Sequence, residues 1–123
     1  MRSIGLHALI EVTVSSTKDR EILIQLDTIQ ALIARCAKRA GAICLEASGH
    51  DFGKGQGVTA FQMLAESHIS VHTWPERNYA AFDIFMCGDA QSNLKDAVQE
   101  LKEAFSSADI SVQYISRYPG ESA

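Results

Sequence analysis

The chain has 123 residues, of which 46% are hydrophobic and 21% are charged, and its formal net charge is −4 at pH 7. The length fits a single domain, 1–123, and these ordinary fractions exclude a disordered or collagen-like chain. We expect no nucleic-acid partner, because a nucleic-acid-binding domain carries a basic face. We also expect no membrane partner, because no window has the roughly 20 apolar residues of a membrane span.

In chain order, the sequence predicts a strand at 4–14, a helix at 17–40, a strand at 42–48, a loop at 49–57, strands at 58–65, 68–74 and 79–86, a helix at 92–106 and a strand at 110–115. The strands are runs rich in Ile, Val and aromatic residues, whereas the helices have apolar residues at three- and four-residue steps. Ser16 or Thr17 can cap the first helix, and Gly41 can end it. The loop holds four of the eight glycines.

The order β-α-β-β-β-β-α-β predicts an α+β fold, an antiparallel sheet with two helices on one face. The strand at 79–86 has apolar residues on both sides, with Phe82 and Ile84 on one and Tyr79 and Phe85 on the other. Apolar residues on both faces favour burial on both faces, and two helices cover only one. We therefore expect a homodimer in which two sheets pack together as an α/β/β/α sandwich.

The three cysteines, Cys36, Cys44 and Cys87, form no C-x-x-C pair, and their odd number leaves an unpaired thiol. The apolar stretch near the first residue is interrupted by Glu11 and lacks the features of a secretory signal. Unpaired thiols are typical of a reducing compartment, so we expect a cytoplasmic protein. Their positions in the helical and strand patterns suggest that Cys36 and Cys44 belong to the core.

Residues 66–76, ESHISVHTWPE, hold two of the four histidines and the only tryptophan. Alternation along a strand places His68, Ser70, His72 and Trp74 on one face. A polar, titratable face opposite an apolar one suits a functional site, although a solvated strand has the same pattern. This segment is the strongest candidate for chemistry in the sequence.

Three chemistries compete for this segment. A metal site is not predicted, because His68 and His72 on one strand lie roughly 13 Å apart, too far to bind one ion. A hydrolase could pair Ser67, Ser70 or Cys87 with His72, although the G-x-S-x-G elbow is absent. The third possibility is that a serine attacks its own chain. The residues alone leave the last two open, and His7 and His50 are assigned structural roles.

Residues 57–88, GVTAFQMLAESHISVHTWPERNYAAFDIFMCG, closely resemble the bacterial and archaeal S-adenosylmethionine decarboxylase proenzymes. The specific feature is an ESH-x-x-x-HTWPE run followed at this distance by Cys-Gly. The resemblance implies an enzyme that cleaves itself between Glu66 and Ser67 into a β chain, 1–66, and an α chain, 67–123. It also implies that Ser67 becomes a pyruvoyl group, so that no external cofactor is needed.

The same resemblance implies the reaction and the roles of individual residues. The enzyme converts S-adenosylmethionine into the decarboxylated aminopropyl donor for spermidine, and the group made from Ser67 forms a Schiff base with the substrate. By position, His72 matches the histidine that assists processing, and Cys87 matches the proton donor. Thr59 lies where relatives have a serine that supports processing. The implied substrate contacts are Glu76 with the ribose hydroxyls and Phe52 and Ile69 with the adenine.

Two alternatives remain beside this interpretation. Some relatives with the same processing motif decarboxylate arginine or ornithine, and the motif cannot distinguish these substrates, which are also cations. A non-catalytic relative would be expected to lose Ser67, His72 or Cys87, and this chain has all three.

Overall fold

The structure is a computed structural model that describes residues 4–118. It contains nine main elements: β1 (Gly5–Thr13), α1 (Thr17–Ile24), α2 (Leu26–Arg39), β2 (Cys44–Asp51), β3 (Val58–Leu64), β4 (Ser67–Trp74), β5 (Tyr79–Cys87), α3 (Leu94–Ala104) and β6 (Asp109–Arg117). The strands form one six-stranded sheet in the order β2-β3-β4-β5-β1-β6. All neighbouring strands are antiparallel. The predicted α+β fold and its six strands are confirmed.

The single predicted helix at 17–40 is wrong, because Gln25 interrupts it with φ −104° and ψ 117°. The structure therefore has three helices instead of the predicted two. The Ser16 side chain caps α1 by accepting a hydrogen bond from the Asp19 backbone nitrogen at 3.0 Å. The break turns Leu23 into the core, where it is fully buried, and leaves the neighbouring Ile22 partly exposed.

The predicted loop at 49–57 is wrong at its start, because β2 continues through Asp51 and pairs Gly49 with Ala60. A Cβ atom at Gly49 would lie 2.7 Å from side-chain atoms of both Gln30 and Leu26. Glycine therefore lets α2 cross closely over the strand at this position. Cys44, which was expected in the core, is exposed because β2 is an edge strand.

The hydrophobic core lies between the helices and one face of the sheet. Alternate residues of the central strands are buried there: Ala8, Ile10, Val12, Val58, Ala60, Leu64, Ile69, Val71, Ala80, Phe82, Ile84 and Met86. We call the opposite side of the sheet the open face, because its side chains stay partly or fully exposed. It carries His7, Leu9, Glu11, Phe61, Met63, His68, Ser70, His72, Trp74, Tyr79, Asp83 and Phe85. None of the helices within residues 4–118 is long and apolar enough to cross a membrane.

Candidate active site

A two-residue turn joins β3 to β4 at the bond that is predicted to be cleaved. Leu64 pairs with Ser67, so Ala65 and Glu66 form the turn between them. The backbone nitrogen of Ala65 donates to the Ile43 carbonyl oxygen at 2.9 Å. Glu66 has φ +64°, a left-handed conformation that residues other than glycine and asparagine rarely adopt.

Ser67 begins β4 and points to the helix side of the sheet, where it is 9% exposed. Its Oγ accepts a hydrogen bond from the Cys87 backbone nitrogen at 3.4 Å, so the end of β5 lies against the serine. Glu66, Ser67 and Cys87 thus form one cluster, which we call the processing end of β4.

Burial raises the pKa of the Cys87 thiol, and the negative charge of the Glu66 carboxylate raises it further. A thiol with a raised pKa keeps its proton at neutral pH, as a proton donor requires. The predicted role of Cys87 is therefore compatible with its surroundings.

The opposite end of β4 borders a cleft of about 810 Å³. Thr59 pairs with His72 across β3 and β4, and the Thr59 Oγ1 lies 3.0 Å from the His72 Nδ1. We call this region the cleft end of β4. The side chains that line the cleft include Arg20, Phe52, Lys54, Trp74 and Glu76.

A tightly packed loop shapes the cleft end. Gly57 has φ +116°, and a Cβ atom there would lie 2.2 Å from the Thr73 carbonyl oxygen, so this position requires glycine. The buried Thr73 hydroxyl accepts from the Val58 nitrogen at 2.9 Å and donates to the Leu23 carbonyl oxygen at 2.8 Å. These bonds tie the end of α1 to the strands beneath the cleft.

The two ends do not meet within one chain. Ser67 and His72 are five positions apart on β4, a separation of roughly 17 Å at ~3.3 Å per residue. Their side chains also point to opposite faces of the sheet. The structure therefore brings Phe52, Thr59, His72 and Glu76 together but separates them from the processing end.

Ile69, the remaining predicted substrate contact, is 0% exposed and packs in the core beneath the helices. It lies in neither cluster.

A third group of polar residues, which sequence reasoning missed, lies on the open face. His7 Nε2 contacts the Asp83 carboxylate, and Arg117 Nη1 lies 3.3 Å from His7 Nδ1. Ligand-type atoms of His7, His68 and Asp83 lie within 4.8 Å of one another, a spacing that a metal ion could use.

The Arg117 contact disfavours a metal at this group. A metal-bound histidine usually donates its second ring N–H to an acceptor, and a guanidinium cannot accept it. A hydrogen-bonded chain from Arg117 through His7 to Asp83 fits the contacts better. Short-range sequence patterns could not predict this hydrogen-bonded network, because the network depends on the pairing of β1 with β5 and β6.

Comparison with known proteins resolves the family. Residues 6–118 match the family model described as S-adenosylmethionine decarboxylase. The chain belongs to this family. The membership inferred from the ESH and HTWPE motifs is thereby confirmed.

Two curated relatives and one crystal structure illustrate the similarity. The S-adenosylmethionine decarboxylase proenzyme of Moorella thermoacetica is 39% identical over 117 residues, covering 95% of this chain and 90% of the relative. The proenzyme of the same name from Pelotomaculum thermopropionicum is 36% identical over 117 residues, covering 95% and 89%. The crystal structure of the adenosylmethionine decarboxylase from Aquifex aeolicus has a TM-score of 0.86 and 27% identity, covering 100% of this chain and 98% of that one. These relatives give no support to the arginine or ornithine alternative.

Proposed function

We propose that this chain is a proenzyme that cuts its own Glu66–Ser67 bond and then decarboxylates S-adenosylmethionine. The observation that carries the proposal is the arrangement at the processing end. The bond lies in a two-residue turn, and the serine hydroxyl is held against Cys87. The products are a β chain, 1–66, and an α chain, 67–123.

The cut would leave the domain intact. The β3 and β4 strands flank the turn and still pair from Thr59–His72 to Met63–His68 when the Ser67 nitrogen is lost. These backbone hydrogen bonds do not depend on the severed peptide bond. The two chains would therefore remain one folded unit.

Cleavage would begin when Ser67 Oγ attacks the Glu66 carbonyl carbon. The C–N bond breaks, an ester C–O bond forms, and the hydroxyl proton passes to the released amine. Elimination then removes the Ser67 Cα proton to solvent and breaks the Cβ–Oγ bond, which frees the main-chain carboxylate of Glu66 and leaves dehydroalanine. Tautomerisation and attack by water release ammonia. Ser67 is thereby converted into a pyruvoyl group at the start of β4.

After this conversion the keto group would be the first group of the α chain, next to the end of the turn. The Ser67 carbonyl would stay bonded to the backbone nitrogen of His68. A pyruvoyl group supplies an electrophilic ketone that binds the substrate amine and accepts the electrons released with CO₂. Cys87 is the proposed proton donor to the substrate α-carbon. Its protonated thiol and its contact with Ser67 support that role.

The cleft end would bind the nucleoside. Glu76 offers a carboxylate to the ribose hydroxyls, while Phe52 provides an aromatic surface for the adenine. The Trp74 ring stands beside them and could face the sulfonium cation. His72 and Thr59, which contact each other, are the proposed groups for proton transfer during processing.

Because the two ends lie far apart in one chain, we propose that the complete site forms between two copies. A two-fold axis across the strands would stack two open faces with their β4 strands antiparallel. The backbone at the processing end of one copy would then lie opposite the cleft end of the other, at the ~10 Å spacing of stacked sheets. Phe61 and Met63, which are 36% and 45% exposed on the open face, supply apolar surface for this contact.

The first test is the intact mass of the denatured protein. We expect two chains divided between Glu66 and Ser67, with the α chain lighter than its serine form by one ammonia. CO₂ release from S-adenosylmethionine, with arginine and ornithine as comparison substrates, tests the reaction. A stable uncut chain would contradict the proposal.

The shared site is tested by mixing two defective copies, one with Cys87→Ala and the other with Phe52→Ala and Glu76→Gln. Mixed dimers would keep one intact site of two, so coexpression should recover about a quarter of the wild-type rate. Recovery no greater than the average of the two parents would show that each site belongs to one chain.

We also propose a cytoplasmic location, which suits the free thiols of Cys36, Cys44 and Cys87.

A further inference from the structure

Glu66 has an unusual backbone conformation for its residue type. Its φ is +64°, and the other non-glycine residues with positive φ within residues 4–118 are Lys54, Asn78 and Tyr118. Left-handed φ brings the Cβ of an L-residue too close to the following carbonyl oxygen. The second position of such a turn is therefore usually glycine or asparagine.

The surrounding sheet prevents this strain from relaxing. Leu64 and Ser67, which flank the turn, pair with each other and are 2% and 9% exposed. Ala65 is tied to the Ile43 carbonyl by its backbone nitrogen. Strained conformations persist where neighbouring structure over-determines them, and such positions are enriched at functional sites.

We infer that the left-handed backbone of Glu66 is a strain element that drives the peptide-to-ester shift at Ser67. In the peptide, the Glu66 carbonyl carbon reaches the Ser67 Cα through one atom, the nitrogen. In the ester it reaches the same Cα through two atoms, Oγ and Cβ. The longer link loosens the two-residue turn, so Glu66 can leave the left-handed region. Strain in the peptide is thus released as the ester forms.

This inference rests on the proposed self-cleavage, and it concerns the backbone of Glu66 and not its carboxylate. Glu66→Ala removes the carboxylate but keeps the Cβ and therefore the strain. Glu66→Gly removes both. Ala65→Gly is the matched control, because it adds the same flexibility to the same turn at a residue whose φ is not positive.

The experiment measures the cleavage rate of each purified precursor by denaturing mass spectrometry. Ala65→Gly should cleave at nearly the wild-type rate, and Glu66→Ala sets the reference rate for a residue that keeps its Cβ but has no carboxylate. Glu66→Gly should cleave about 5- to 30-fold more slowly than Glu66→Ala, which corresponds to roughly 1–2 kcal/mol at ~1.4 kcal/mol per tenfold. Glu66→Asn should fall between Ala and Gly, because asparagine tolerates this conformation better.

Hydroxylamine supplies a second readout, because it cleaves esters much faster than amides. The fraction of precursor trapped as ester should fall in Glu66→Gly and stay unchanged in Ala65→Gly. Equal slowing by both glycine variants would show loosened positioning and would overturn the inference. Equal rates for Glu66→Gly and Glu66→Ala would also overturn it while leaving self-cleavage intact. No cleavage of the wild-type chain would overturn the proposed function itself.

Discussion

The two ends of β4 present their functional groups in different ways. At the processing end the bond proposed to break belongs to the main chain, and the proposed nucleophile, Ser67, is largely buried. At the cleft end side chains border an open volume of about 810 Å³. Cleaving a bond within the chain requires a fixed backbone, whereas binding a nucleoside requires space and converging polar groups. The comparison teaches that one short motif can serve two separate tasks.

The largest effect is expected when Ser67, the proposed nucleophile of the processing end, is removed. Ser67→Ala should abolish cleavage entirely, because no hydroxyl remains to attack Glu66. Denaturing mass spectrometry should then show only the 13.4 kDa precursor. Ser70→Ala is the matched control, since Ser70 lies on the same strand but on the open face. Normal cleavage of Ser67→Ala would rule out the assignment of the processing end.

The next largest effect is expected from the thiol beside that serine. Cys87→Ala should still be cleaved, at least in part, yet lose about 10²- to 10⁴-fold in turnover, the usual contribution of a positioned acid. CO₂ release from the processed protein measures this loss. Cys44→Ala, an exposed cysteine on the edge strand, should behave as wild type. Full turnover by Cys87→Ala would mean that another group delivers the proton.

Changes at the cleft end should separate binding from processing. Glu76→Gln should raise KM for S-adenosylmethionine by about 10-fold, because a hydrogen bond to a charged group contributes roughly 1.5–3 kcal/mol and a neutral one roughly 0.5–1.5 kcal/mol. The cleavage rate should not change. Glu46→Gln is a suitable control, because Glu46 is an exposed acidic residue on β2 outside the cleft lining. Slower cleavage in Glu76→Gln would show that the Glu76 carboxylate acts in processing as well as in binding.

The smallest expected effect concerns pH. Cys87 must be protonated to donate, so turnover should fall as pH rises through its thiol pKa. Burial is the main cause of the raised pKa, and the Glu66 charge is a smaller one. Glu66→Gln should therefore move the alkaline limb of the kcat profile modestly to lower pH. An alkaline limb that stays in place would show that Glu66 does not act on the thiol in the processed enzyme.

Much of the fold could be predicted because alternation and helical periodicity are local properties. The break at Gln25 could not, since neither glycine nor proline marks it and the apolar steps continue across it. The loop prediction was wrong at Gly49, because glycine is common both in loops and where a helix packs closely on a strand. Here it permits a helix to approach a strand, a need that arises only when α2 packs on the sheet.

The motif predicted one site, and its division into two ends could have been predicted as well. Ser67 and His72 occupy positions of opposite parity on one strand, so alternation alone sends them to opposite faces. The hydrogen bonds from Arg117 through His7 to Asp83 could not be predicted, because the three residues lie on three strands that are distant in sequence. The homodimer stays a prediction, to which the separation of the two ends now gives a functional reason.

The pairing of β3 with β4 has a consequence for how the protein folds before and after the proposed cleavage. Before cleavage β3 and β4 are joined by a short turn, so each copy folds in a unimolecular step and only the proposed pairing of two copies depends on concentration. After the proposed cleavage the unfolded state would consist of two separate chains, and their reassembly would become bimolecular. The stability of the cleaved domain should then depend more steeply on protein concentration than that of the uncut precursor. If the proposed cleavage occurs, the precursor is the form in which the fold is acquired, and a cleaved molecule that unfolds in dilute solution would refold slowly.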